Sequence, residues 1–519
     1  MTYNEYGMQD TLKDPNAGIM TYSYNSIGEL LTQKNNRGQQ TTMTYDNLGR
    51  VQTKTSPEGT VTYTYDNALN GMGLLASVTS TNQTITYTYD NFSRLLTETN
   101  TIDGTAYPTT FEYDNSVNKV SKIIYPSQFS INNEYEGNGF LKRVRRSDNN
   151  AIIWESTSVN QFGQNTGATF GNSLVINRTY DKYGFPVTMK TGTTQNIGSI
   201  QNLQFCFDTT SGNLSWRKDN ISSRNFTESF TYDHNRLTNS LVNPSTNYNV
   251  QYDDDQGNFG NISYKFGAGT YAYTSSRPHA VTQLTNSPIV NNQYITYNSF
   301  EQPTVLSEGN WGLTISYGVD EQRIKSVYTQ SGTNWTRKYI GNYEEVWSNS
   351  QITKKIHYIA GGDGLVAVYI IDGSGNGQMY YISKDYLGSI MVLTRQDGTV
   401  AEEYSYDSWG RRRSPTNWTN YTVSTPTLLY RGYTGHEHLD EFALINMNGR
   451  CYDSRTGRFL SPDNYVQIPD FTQSFNRYAY CLNNPLISKD PTGEFFMPFL
   501  SYIIAHTFFR SIHNGLYPK

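Results

Sequence analysis

A tyrosine followed by an acidic or amide residue recurs along this chain at a nearly fixed interval. Tyr24-Asn25, Tyr45-Asp46, Tyr65-Asp66, Tyr89-Asp90 and Tyr113-Asp114 succeed one another at spacings of 21, 20, 24 and 24 residues. Further copies stand at Tyr180-Asp181, Phe207-Asp208, Tyr232-Asp233, Tyr252-Asp253, Tyr297-Asn298 and Tyr406-Asp407. A period in the low twenties marks a repeated supersecondary unit that buries its apolar face only by stacking on its neighbours. In Val61-Thr62-Tyr63-Thr64-Tyr65 the residues alternate. Tyr63 and Tyr65 thus share one face of a strand and the threonines the other, and Tyr87 and Tyr89 repeat the pattern. Turn residues follow each dyad, and Gly49, Gly184 and Gly410 stand where a positive φ would close the turn. The unit reads as a β-hairpin. Stacked hairpins share one sheet, which strand twist coils rather than leaves flat. The predicted class is all-β, with helix nearly absent and a tyrosine-lined face turned inward.

Composition agrees. Among 519 residues, 43 are tyrosine and only 16% are charged, against roughly 25% in average domains. Tyr and Thr favour strands, while Asn, Asp and Gly favour turns. The net charge of -5, with no long basic run, leaves no electrostatic footprint for nucleic acid. Cys206, Cys451 and Cys481 are too few and too scattered for a disulfide scaffold or a zinc site. The opening MTYNEYGMQD has neither a basic n-region nor an apolar h-region, so it is not a signal peptide. A secreted or cell-surface location is expected, by a non-Sec route or through an N-terminal region missing from this chain.

From residue 450 to residue 495 the repetition stops. Three ordered blocks follow: Gly457-Arg458-Phe459-Leu460-Ser461-Pro462-Asp463, then Asn476-Arg477-Tyr478-Ala479-Tyr480-Cys481-Leu482-Asn483-Asn484-Pro485, then Asp490-Pro491-Thr492-Gly493. Together they resemble the core domain that closes proteins of the rearrangement-hotspot (RHS) or YD-repeat family, related to teneurins and to ABC-toxin C components. Asp385-Tyr386-Leu387-Gly388-Ser389 and Tyr433-Thr434-Gly435-His436-Glu437 resemble earlier blocks of the same core. The resemblance implies hairpin repeats over 1–379 that form a hollow or partial shell. It also implies a core plug over 380–494 and a short apolar tail, 495–519, as a truncated or vestigial effector. Residues 495–509 contain no Asp, Glu, Lys or Arg, but 15 residues fall short of the ~20 that span a bilayer.

Peptide cleavage by carboxyl groups calls for two acids in different protonation states, which close approach in a dry site provides. Asp463 and Asp490, each in a Pro-containing turn, are the candidates, and both turns also suit ordinary type I geometry. The resemblance assigns self-cleavage to Asp463 and to Arg450, thirteen positions before it, and sets the cut between Glu494 and Phe495. Where the family has Leu, this chain has Glu494. His436-Glu437-His438 offers zinc-type donors, but no further His or Cys lies close by in sequence, so a polar loop is the favoured reading. No phosphate loop, GxSxG elbow or HExxH helix occurs. No cofactor or metal is expected.

The reading is a scaffold that encapsulates and delivers a polymorphic toxin, with an Asp-dependent self-cleaving core. Its expected partners are an enclosed C-terminal toxin, absent here, and a cognate immunity protein, with no nucleic acid and with membrane contact only through delivery. The alternative is a cell-surface repeat protein whose aromatic faces stack on glycans, without catalysis. A third is a remnant that has lost its toxin and export regions.

Overall fold

The structure is a computed structural model and describes residues 1–242, 246–254, 259–289 and 292–498. Among these residues there is no α-helix, only strands and four short 3-10 turns between Tyr433 and Asn483. Twenty-six strands, from Thr2–Tyr3 to Gln283–Thr285, form one sheet in which each strand pairs antiparallel with the next in sequence. A second sheet of 11 strands runs from Gln293–Tyr297 to Val400–Glu403. Neither sheet pairs its first strand with its last, so neither is closed and the shell is partial. The second sheet runs unbroken past residue 380, because the strand Gly377–Lys384 pairs on both sides.

The alternation read from sequence sets the faces. In Gln83–Tyr89 the side chains of Gln83, Ile85 and Tyr89 are buried and Tyr87 is half-buried, while Thr86 and Thr88 are exposed. On the outer face, threonines pair across strands through their hydroxyls, as in Thr44–Thr53 at 2.6 Å and Thr179–Thr188 at 2.8 Å.

Most dyads have a further feature. The register slips at the tyrosine itself, between Thr44 and Tyr45, Thr64 and Tyr65, Thr179 and Tyr180, and Thr231 and Tyr232. A bulge there bends the strand and adds twist, which curls the ribbon. The residue after the tyrosine caps the turn: Asp46 Oδ1 accepts the N–H groups of Leu48 and Arg50 at 2.9 and 3.0 Å. Gly49 then takes the left-handed conformation at φ 76°, the bulged position of a three-residue hairpin loop.

The inner faces of the two sheets meet. Ile102, Val144 and Trp154 pack with Ile359, Val366 and Ala367. Phe205, Phe230 and Leu237 pack with Val346, Ile356 and Ile370. The segment beyond residue 403 is irregular and joins this core through Tyr433, Tyr452 and Tyr480, whose rings lie 4.5 to 6.3 Å apart in the Tyr452–Tyr480 and Tyr433–Tyr480 pairs. It also packs on the second sheet, where Leu439, Phe442 and Leu444 meet Leu306 and Tyr328. The first hairpin reaches the same segment: Asp14 pairs with Arg477 at 2.8 Å, and Asn16 Nδ2 donates to the Phe475 carbonyl at 2.9 Å.

Candidate functional site

Residues 490–496 form the loop of a short hairpin between Ser488–Lys489 and Met497–Pro498. The loop is tied from within by Asp490. Its Oδ1 accepts the N–H groups of Gly493, Phe495 and Thr492 at 2.7, 3.2 and 3.3 Å. Gly493 has φ 73°, and a Cβ there would lie 2.3 Å from the Met447 carbonyl oxygen, so glycine is required. The loop is also tied from outside, since Gly449 N–H donates to the Thr492 carbonyl at 2.8 Å.

Three of the residues singled out in sequence converge behind this loop. Arg450, Asp463 and Asp490 are 5%, 6% and 1% exposed. Nη2 of Arg450 lies 2.8 Å from Asp463 Oδ2 and 3.2 Å from Asp490 Oδ2, so one guanidinium nitrogen serves both carboxylates. Its Nη1 donates to the Arg477 carbonyl at 3.1 Å and its Nε to the Gly493 carbonyl. The guanidinium also lies over the Phe459 ring, 3.7 Å from its centroid. Asp463 is set by its own backbone, whose N–H donates to the Arg477 carbonyl at 2.9 Å, and its Oδ1 accepts the Tyr465 N–H at 2.9 Å.

Burial pushes the Asp463 carboxyl above its ordinary value, although Arg450 pulls it back toward ionisation. Glu494 is raised as well, by burial first and then by the nearby charge of Asp463. Phe495 is 52% exposed and rests against Phe496. The two sides of the Glu494–Phe495 bond therefore meet different groups. The nitrogen side rests on Asp490. The carbonyl side is held by a residue that the sequence reading missed: Gln467 Nε2 donates to the Glu494 carbonyl at 3.0 Å and to Asp463 Oδ2 at 2.9 Å. Gln467 stands in an irregular loop outside all three motif blocks, and nothing in its surroundings marks it.

His436 and His438 are buried and fully engaged. His436 Nε2 meets the Pro491 carbonyl at 3.1 Å, and His438 Nε2 accepts the Tyr433 N–H at 3.0 Å. Glu437 between them lies in a short buried strand, Glu437–Leu439, not in a loop, and ion-pairs with Arg337 at 2.5 Å and with Arg323. Among the described residues no group of three or more His, Cys, Asp or Glu is arranged to hold a metal. Most of the apolar tail, residues 499–519, lies outside the described residues.

The teneurin YD-shell family matches residues 1–196 and 211–486. The chain belongs to that family. As a YD-shell it is similar in fold to the crystal structure of TcdB2-TccC3-TEV, with a TM-score of 0.78 over 94% of this chain and 28% of that one, at 16% identity. In sequence it is 24% identical over 278 residues to the tRNA3(Ser)-specific nuclease WapA of Bacillus spizizenii, which is 51% of this chain and 11% of that protein. It is also 27% identical over 209 residues to salivary gland surface protein 1 of Aedes aegypti, 37% of this chain and 6% of that protein. The YD-shell chain thus spans about a tenth of the length of the WapA relative it matches.

Proposed function

We propose that this YD-shell chain is part of the casing of a delivered toxin, and that its core cuts its own backbone between Glu494 and Phe495. The casing role is supported by YD-shell membership and by similarity to a protein named as a nuclease. The enclosed toxin and an immunity protein would be its partners, and delivery outside the producing cell its setting. One observation carries the cutting role: Arg450 joins two buried carboxylates, and one of these touches the nitrogen of the bond in question.

The chemistry is hydrolysis. Asp463 takes a proton from a water whose oxygen adds to the Glu494 carbonyl carbon. The C–N bond to Phe495 then breaks with its electron pair going to nitrogen, and that nitrogen receives the proton. Asp490 holds the departing N–H, and Arg450 keeps the two carboxylates beside each other and the Gly493 carbonyl fixed.

Intact-mass spectrometry on the purified full chain tests this. Loss of the 25 residues from Phe495 onward is expected without added protease. Asp463→Asn should leave the chain whole, and Arg450→Ala should slow cutting roughly 10²–10³-fold. Glu494→Leu, which removes a charge beside Asp463, should speed it. A wild type and Glu494→Leu variant that both stay at full mass would make the core a structural plug.

A further inference from the structure

Neither the repeats nor the two carboxylates account for Gln467, whose amide makes three hydrogen bonds beside the Glu494–Phe495 bond. We propose that Gln467 is a catalytic residue of this core, supplying the oxyanion donor for the Glu494 carbonyl and fixing the register of the bond against Asp463. This rests on the self-cleavage reading above.

The side-chain amide is used completely. Its Nε2 carries two hydrogens, and two acceptors face it, Asp463 Oδ2 at 2.9 Å and the Glu494 carbonyl oxygen at 3.0 Å. Its Oε1 accepts the Phe496 N–H at 3.0 Å. The orientation of the amide is settled by this network. Turned over, it would set its oxygen against two other oxygens and its NH₂ against an N–H.

The pattern has a chemical meaning. The Glu494 carbonyl and the Phe496 N–H flank Phe495, as the two groups along one edge of a strand do. The Gln467 amide meets both, in the manner of a neighbouring peptide in a sheet. The Glu494–Phe495 bond is thereby fixed in position from one side, while Asp490 holds its N–H from the other. The same NH₂ that holds the carbonyl also holds the carboxylate assigned to activate water, so the carbonyl and the base are linked through one atom.

When the carbonyl carbon becomes tetrahedral, its oxygen gains negative charge. A donor already in place then strengthens its bond with no reorganisation, and loss of one such donor costs about 10²–10³ in rate. A glutamate at 467 would keep the acceptor for Phe496 but offer nothing to the carbonyl, and it would repel Asp463. A methionine would keep the length and remove both functions.

The test uses the full chain as wild type, Gln467→Met and Gln467→Glu, with loss of residues 495–519 followed over time by intact mass and melting temperature measured alongside. Gln467→Met should melt close to wild type, Gln467→Glu lower because its charge faces Asp463, and the folded fraction of both should cut about 10²–10³-fold more slowly. In the uncut Asp463→Asn background, Gln467→Met should also lose the slow hydrogen exchange of the Phe496 amide, whereas Gln467→Glu should retain it. A structural role alone would lower the melting temperature while the folded fraction cuts at the wild-type rate, and that outcome overturns the proposal. Cutting of Gln467→Met at the wild-type rate overturns it too and leaves the roles of Asp463 and Arg450 standing. A wild type that never cuts removes the self-cleavage reading, and this proposal with it.

Discussion

The tyrosine of each dyad is a tie as well as a face residue. The hydroxyls of Tyr24, Tyr45, Tyr65, Tyr89 and Tyr113 donate to the carbonyls of Gln9, Leu30, Val51, Leu75 and Leu95 at 2.7 to 3.0 Å. Each acceptor lies 14 to 18 residues upstream, at the start of the preceding return strand. Phenylalanine would fill the same space and leave that carbonyl without its hydroxyl. Tyr89→Phe should therefore cost about 1–2 kcal/mol in denaturant unfolding, because Tyr89 is 3% exposed and water has little access. An unchanged midpoint would mean the hydroxyl contributes nothing. The dyad's period and the face of its tyrosine are legible in the sequence, since alternation is local. The acceptor is not, because no local signal says which carbonyl a hydroxyl will meet. The candidate site divides in the same way. Asp463 and Asp490 stand in motif blocks and Arg450 at a set spacing before the first, whereas Gln467 acquires its part only when the 490–496 loop folds across it.

At the scale of elements, the inner face carries charge where a plain hydrophobic alternation would exclude it. Glu228 lies on the strand Phe226–Asp233, on the same face as Phe230, and is fully buried. Arg217 on the preceding, paired strand Leu214–Asp219 lies 2.8 Å from it, and Arg413, from beyond both sheets, 2.7 Å. Burial opposes its ionisation, but the two guanidiniums prevail and bring its carboxyl down to about 2 from 4.5. A carboxyl lowered on folding contributes stability that is present above 4.5 and is lost as pH falls toward 2, by ~1.4 kcal/mol per pH unit. Glu228→Gln should remove that part of the acid slope. It should also cost roughly 3–5 kcal/mol at neutral pH, because two buried arginines lose their counter-charge. Parallel stability curves for variant and wild type between pH 5 and 3 would contradict this account. Sequence alternation puts Glu228 inside, but Arg413 is 185 residues away, and that separation hides the pair from any local reading.

At the scale of the molecule, four histidines, His279, His357, His436 and His438, are buried in the assembled fold. Burial lowers each to about 4 from 6.5. A base lowered on folding contributes stability that is present above 6.5 and is lost as pH falls through 4, since the unfolded chain takes up the proton first. The melting temperature should fall steadily between pH 6.5 and 4, and His357→Gln should reduce that slope. A flat profile in that window would show that these rings titrate normally. The sheet order was legible in sequence because consecutive hairpins pair consecutively. The meeting of the two inner faces was not, because it depends on how far accumulated bulges curl the ribbon.

The backward reach of the tyrosines gives the ladder a direction in time. A chain made from its N-terminal side lays down the acceptor carbonyl of each of these five ties before the hydroxyl that will claim it. Each of these hairpins can lock onto a finished one without waiting for a successor. The bond between Asp14 and Arg477 obeys the opposite rule. It joins the second hairpin strand to the core segment and forms only when nearly all the chain exists, so the earliest part of the sheet, though held within by Tyr24, is fastened to the core last. Pulse-labelled chains halted before residue 477 should thus carry protected hairpin amides together with a first hairpin still open to protease.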